Sequence, residues 1–235
     1  MRQKELTMVR NSWKGQLRVE CRAGAAADEA AVLYLYGQIG SDGITDYAFA
    51  SALDSLDGRP VVLRINSPGG DVFTARAMVD AMRRYSGEVL AEINGWCLSA
   101  ATHLAVAADR SVISPGSFFM IHNAWTVAIG DRAELAKVSA LLSQVDDVLA
   151  KEYGRKAKVD IAQIRAWMDE ETWFTAEEAV HHGFVDALVA IEDASVAASW
   201  DLSVYRNAPA VGESLEADLA AVREKMERRL RLLEL

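Results

Sequence analysis

Val89-Leu90-Ala91-Glu92-Ile93-Asn94-Gly95-Trp96-Cys97-Leu98-Ser99-Ala100-Ala101-Thr102-His103 is the stretch on which the reading of this chain turns. Val89–Ile93 is an apolar run, short and sharply flanked, and reads as a buried strand. Gly95 then opens a short turn. After Ser99 come small, helix-prone residues: Ala100, Ala101, Leu104, Ala105, Val106, Ala107 and Ala108. A strand, a turn and a helix that opens on a serine set the hydroxyl among backbone N–H groups with no partner of their own. Such a turn can present a nucleophile and stabilise negative charge beside it. Taken alone, a serine here is an N-cap. Partners are needed to make it a nucleophile.

Two other stretches offer them. Upstream, Val61-Val62-Leu63-Arg64-Ile65-Asn66-Ser67-Pro68-Gly69-Gly70-Asp71 reads as a strand that ends in a Pro-Gly-Gly turn before a helix. Downstream, Phe118-Phe119-Met120-Ile121-His122-Asn123 reads as a short apolar strand that ends on a histidine. Hydrolysis of an amide by serine needs a base for the hydroxyl proton and a group to orient that base. It also needs donors aimed at the developing oxyanion. In chain order, Ser99 and His122 fit the first two parts.

Together these segments resemble the Clp-type serine peptidases. The resemblance rests on Ile65-Asn66-Ser67-Pro68-Gly69-Gly70, the Gly95-x-x-x-Ser99 helix start and Met120-Ile121-His122, and runs from about Leu33 to Leu188. Within that family it is nearest in form to the phage-type branch used in capsid maturation. The hallmarks of that branch are Tyr34-Leu35-Tyr36-Gly37, Pro68-Gly69-Gly70-Asp71-Val72-Phe73 and Glu171-Thr172-Trp173-Phe174-Thr175-Ala176. The resemblance implies an α/β fold of the Clp/crotonase type, a superhelix of β-β-α units with a long handle helix. It implies Ser99 as nucleophile, His122 as base, and Gly70 and Ala100 as backbone oxyanion donors. Counting back from Thr175-Ala176 places the acid at Glu171, with Asp169 as the alternative, since the two share a face if the segment is extended. It further implies scaffold or other capsid-assembly proteins as substrates and a homo-oligomer, of ring form in the family, with no cofactor. Glycine at 70 is expected because a side chain there would crowd the substrate carbonyl.

Other histidines compete weakly. His103 lies four residues after Ser99 and would share a helix face with it. His181-His182 stand before Gly183 at a helix end, where a histidine suits the helix dipole. No His, Cys or carboxylate cluster has metal-ligand spacing.

The 235 residues carry a formal net charge of −9, which argues against a nucleic-acid partner. The two cysteines, Cys21 and Cys97, make no disulfide framework. That points to a reducing, cytoplasmic setting. No apolar run reaches bilayer length, and Met1–Gly15 has no apolar signal-peptide core; no membrane association is expected.

Strand and helix patterns alternate from Ala31 to Ile93, as in a largely parallel sheet with right-handed crossovers. Residues 1–30 read as an irregular opening segment, 31–190 as the peptidase domain, 191–212 as an extension and linker, and 213–235 as an amphipathic helix. A long helix is expected from Asp131 to Tyr153, closed by Gly154. On it Leu135, Val138, Leu142, Val145 and Leu149 step by three and four residues, an apolar seam suited to a contact between copies. Two readings from other classes stand beside the peptidase: a crotonase-fold enzyme of acyl-CoA thioesters, and a catalytically idle assembly subunit.

Overall fold

A computed structural model describes residues 16–20 and 30–189. Strand β2 (Ala31–Tyr36) alternates buried and half-buried residues, the period of a pleated strand. Helix α1 (Asp46–Asp54) is capped by Thr45 and turns Phe49 and Leu53 inward. Strand β3 (Val61–Ser67) leads into helix α2 (Val72–Arg84), whose cap is Asp71 and whose buried stripe is Ala75, Met78, Val79 and Met82. Strand β4 (Val89–Leu98) and helix α3 (Ala100–Ala107) follow. Strands β2, β3 and β4 run parallel, and β4 pairs parallel with β5 (Arg110–Ile113). The α/β fold class expected from the sequence is the one observed.

The opening segment holds a strand that the sequence reading passed over. β1 (Gln16–Glu20) pairs antiparallel with β2. Its polar–apolar alternation, Gln-Leu-Arg-Val-Glu, is a period-two signal that Gly24 and the alanines after it outweighed. The amphipathic helix expected at 213–235 and the linker before it lie outside the described residues.

β4 also departs from expectation. It does not stop at Ile93 but runs on through Gly95, Trp96 and Cys97 to Leu98. The reason is a fork in the sheet. Leu90–Ile93 pair with β5, whereas Trp96–Leu98 pair with β6 (Phe118–Ile121). β6 in turn pairs antiparallel with β7 (Thr172–Thr175). The fork sits at an irregularity in the β3–β4 register between Ile65 and Ser67. There Asn66 Oδ1 accepts from Trp96 N–H at 3.0 Å. A Cβ on Gly95 would lie 2.6 Å from that same oxygen, so glycine permits the bridge.

Helix α4 (Arg132–Lys156) starts on a capping box of Asp131 and Glu134. It passes through Gly154 instead of ending there, because Gly154 meets only Ile164 Cδ1, at ordinary contact distance, and the last turn carries Arg155 and Lys156. Its two halves differ. Leu149, Ala150, Glu152 and Tyr153 are buried, whereas no residue from Arg132 to Val148 is, and Leu135 and Leu141 are exposed. Helix α5 (Ile161–Glu170), capped by Asp160, then leads to β7. Helix α6 (Ala176–His181) opens on the expected Thr175–Glu178 capping box, and strand β8 (Ala187–Leu188) closes the sheet against β5.

Candidate active site

Three parallel strands, β3, β4 and β6, deliver their carboxyl ends to one place, the usual position for a site in such sheets. β3 delivers the Pro68-Gly69-Gly70 turn, β4 delivers Ser99, and β6 delivers His122.

Ser99 adopts φ 52° and ψ −127°, a conformation rare for a residue with a side chain. Its N–H donates to Met120 O at 2.9 Å, which ties the turn to β6. Its side chain caps nothing on α3; instead Ser99 Oγ lies 2.7 Å from His122 Nε2. The N-cap reading of this serine is therefore set aside by geometry.

Glu171 reaches the histidine through strand register. β6 and β7 pair with Ile121 opposite Thr172, so the register continued by one residue sets His122 opposite Glu171. Glu171 caps α5 in the left-handed region, at φ 53°, and is buried. Trp173 Nε1 donates to its Oε1 at 3.4 Å. Burial lowers the pKa of His122 below the ordinary histidine value, while the Glu171 charge pulls the other way. Asp169 goes elsewhere: α5 extends to Glu170, so Asp169 and Glu171 do not share an extended face. Asp169 is exposed and accepts from Asn123 Nδ2 at 2.7 Å.

The Pro-Gly-Gly turn is pressed against the Ser99 turn. A Cβ on Gly69 would lie 2.5 Å from Leu98 O and 2.9 Å from both Ala100 N and Ser99 Cβ. Gly70, at φ 143°, would place its Cβ 2.0 Å from Ile39 O. Glycine at 70 is thus demanded by the Ile39 backbone alone, whatever a substrate carbonyl would add. Ile39 accepts from Asp71 N–H and donates to Gly69 O, bridging past Gly70. Among the described residues, the N–H groups of Gly70 and Ala100 meet no acceptor. The turn is held by Ser67, fully buried, whose Oγ donates to Gly37 O at 2.6 Å and accepts from Gly69 N–H at 3.1 Å. Ser67 went unremarked in the sequence as a residue with a task of its own.

His103 is kept from Ser99 Oγ. It is a buried residue of α3, with Nε2 3.2 Å from Tyr153 OH and its ring against that of Tyr153. Cys97, two residues before Ser99, is fully buried and its thiol pKa is pushed up by that burial, so it is no rival nucleophile. His182 packs on Trp167, away from the serine. A cleft of about 380 Å³ is lined by Asn123, the residue after His122, with Ala124, Leu142, Asp146 and Arg165. A larger hollow of about 550 Å³ lies at the other end of β4, around Gly87, Val89 and Asp109. Among the described residues no group of three or more His, Cys, Asp or Glu side chains is placed to hold a metal ion.

The family profile of the Clp proteases matches residues 25–192. The chain belongs to the Clp protease family. Among curated relatives, an ATP-dependent Clp protease proteolytic subunit of Bacteroides thetaiotaomicron is 30% identical over 141 residues. That match covers 58% of this chain and 64% of the relative, so the chain spans less than two thirds of that protein. Proteolytic subunit 3 of Rhodococcus jostii is 30% identical over 137 residues, 56% of this chain and 66% of its own length. A Streptococcus pneumoniae proteolytic subunit is 25% identical over 151 residues, 63% of this chain and 76% of its own. Among the described residues of this Clp-family chain, no helix is long and apolar enough to cross a membrane.

Proposed function

We propose that the chain is a serine endopeptidase. The observation that carries this reading is the 2.7 Å contact between Ser99 Oγ, on a left-handed turn, and His122 Nε2. Ser99 Oγ attacks the scissile carbonyl as its proton passes to His122 Nε2. The imidazolium so formed is stabilised by the Glu171 carboxylate, whose charge already acts on the ring. The tetrahedral oxyanion takes hydrogen bonds from the N–H groups of Gly70 and Ala100. His122 then returns the proton to the leaving amine, and water repeats the cycle on the acyl-enzyme. The cleft lined from Asn123 to Arg165, which begins at the residue after His122, is the room available to polypeptide.

The substrate is a scaffold or other capsid-assembly protein, and the setting is phage head maturation in the host cytoplasm. This finer reading is supported by Tyr34-Leu35-Tyr36-Gly37, Gly70-Asp71-Val72-Phe73 and Glu171-Thr172-Trp173-Phe174, which resemble that branch of the family. The chain works as a homo-oligomer, and the unburied first sixteen or so residues of α4 supply part of the contact. The domain division at 31–190 follows from the same resemblance.

The test is to mix the purified chain with scaffold protein encoded beside it and follow cleavage by mass. Processing by wild type and none by Ser99→Ala supports the whole reading. Cleavage of casein or peptides but not scaffold keeps the peptidase and removes the capsid role. Hydrolysis of acyl-CoA thioesters with no peptide cleavage would favour the crotonase-type reading. No turnover of any of these would leave an idle subunit.

A further inference from the structure

A second polar cluster meets the backbone of Ser99, whereas His122 meets its side chain. Thr102, His103 and Tyr153 are all at most 2% exposed, and Glu152 is 9% exposed. Such groups are costly to bury, and apolar side chains would fill the same volume at less cost. Their hydrogen bonds form one line. Thr102 Oγ1 donates to Ser99 O, Thr102 Oγ1 and Tyr153 OH lie 2.5 Å apart, and Tyr153 OH lies 3.2 Å from His103 Nε2.

The line has a fixed direction. A carbonyl only accepts, so the Thr102 proton is spent on Ser99 O. Tyr153 must then donate to Thr102, and its own oxygen accepts from His103 Nε2–H. His103 Nδ1 faces Glu152 Oε2 at 3.3 Å, an ion-pair separation without hydrogen-bond alignment. Glu152 Oε1 takes Arg76, from α2, at 3.0 Å. Burial works against the Glu152 charge, but His103 and Arg76 outweigh it and hold the carboxyl below its usual range.

The far end of the line is a peptide bond with a task. Ser99 O accepts twice from Thr102, from its N–H at 3.0 Å and from its hydroxyl. In a planar trans peptide the C=O and the next residue's N–H point in opposite directions. Pinning Ser99 C=O toward Thr102 therefore aims Ala100 N–H the other way, toward the side from which Gly69 approaches.

We propose that Thr102, Tyr153 and His103 are positioning residues that fix the Ser99–Ala100 peptide plane and so aim the Ala100 N–H at the oxyanion. The inference rests on the serine-peptidase reading. It extends that site into the buried end of α4, which touches no reacting atom.

The experiment compares wild type with Thr102→Val, Thr102→Ser and Tyr153→Phe, each checked for folding by circular dichroism. Hydrolysis of a fluorogenic peptide is followed against concentration and pH. An oxyanion donor is worth about 10²–10³ in kcat, and a misaimed one retains part of that. Thr102→Val and Tyr153→Phe should lose about ten- to a hundredfold in kcat, with KM and the pH midpoint set by His122 unchanged. Thr102→Ser, which keeps the hydroxyl, should stay within about threefold of wild type. Equal kcat in all four proteins would overturn the proposal, as would a change confined to KM. If wild type cleaves no peptide, the peptidase reading fails by itself. The positioning claim is then decided by the carbonyl ¹³C shift of Ser99 and the amide ¹⁵N shift of Ala100. Movement of both in Thr102→Val supports it, and no movement overturns it.

Discussion

On one side of Ser99 stand His122 and Glu171, on the other Thr102, His103 and Tyr153. Both sides contain a histidine close to the serine in sequence or in space, and both bring in a carboxylate, Glu171 or Glu152. They differ in what they reach. His122 meets the hydroxyl of Ser99 at 2.7 Å, and the next residue, Asn123, lines a cleft. His103 reaches only the backbone of Ser99, through Tyr153 and Thr102, and is sealed in the core. The difference teaches that sequence distance to a nucleophile is a poor guide to the base. Four residues along a helix lead beneath the turn, whereas a parallel strand 23 residues on leads to the hydroxyl.

The comparison breaks most sharply at the hydroxyl and the ring. Ser99→Ala and His122→Ala should each lower kcat by roughly 10⁴–10⁶ with the fold retained, since members of such a unit fail together. His103→Ala should cost less in rate and more in melting temperature, because it empties a packed site beside Tyr153. If His103→Ala instead lost as much rate as His122→Ala with an unchanged melting point, the two sides would have to be exchanged.

The carboxylates sharpen it next. Glu171→Gln should cost about 10²–10⁴ in kcat, and Asp169→Asn less than about threefold. The pH profile carries a sign. Only neutral His122 acts as base, and burial lowers its pKa, so activity should rise with pH through a midpoint below about 6.5. Glu171 opposes that lowering, so Glu171→Gln should move the midpoint further down. A midpoint that moved up, or stayed in place, would remove Glu171 from the histidine.

A smaller effect is expected at the turn that faces both sides. Gly70→Ala forces a Cβ onto Ile39 O and should cost about 1–3 kcal/mol of stability, read as a lower melting temperature. An unchanged melting point would show that the Ile39–Gly70 bridge gives way cheaply. The smallest effect on chemistry should come from α4 at its unburied end. Leu135→Glu with Leu141→Lys should dissociate the assembly in light scattering while the rate at which a fluorophosphonate labels the isolated chain stays within about threefold. An intact oligomer would remove this face from the contact.

Much of this was legible in the residues, and the exceptions have physical reasons. Strands β2 and β3, helices α1 and α2 and the capping box of α6 follow from period and caps, which are local. The extension of β4 to Leu98 was not legible, because it depends on β6 pairing with its second half, a contact across some twenty residues. Ser99, His122 and the Pro-Gly-Gly turn stand in motifs and could be named. Glu171 was placed ahead of Asp169 by resemblance alone; the physical reason, α5 running to Glu170 and the β6–β7 register, lies in the fold. Thr102 and Tyr153 carried no signal, since nothing in sequence joins residues 51 apart. His103 was visible only as a histidine one helical turn from Ser99, and the buried line it belongs to was not legible.

The claim at the centre is that Ser99 is the activated hydroxyl. Treating the protein with a fluorophosphonate and mapping the adduct by peptide mass spectrometry tests it most directly. The account predicts one adduct, on Ser99, that forms at least a hundredfold more slowly in His122→Ala. No adduct, or one on Ser67 or another serine, would contradict it.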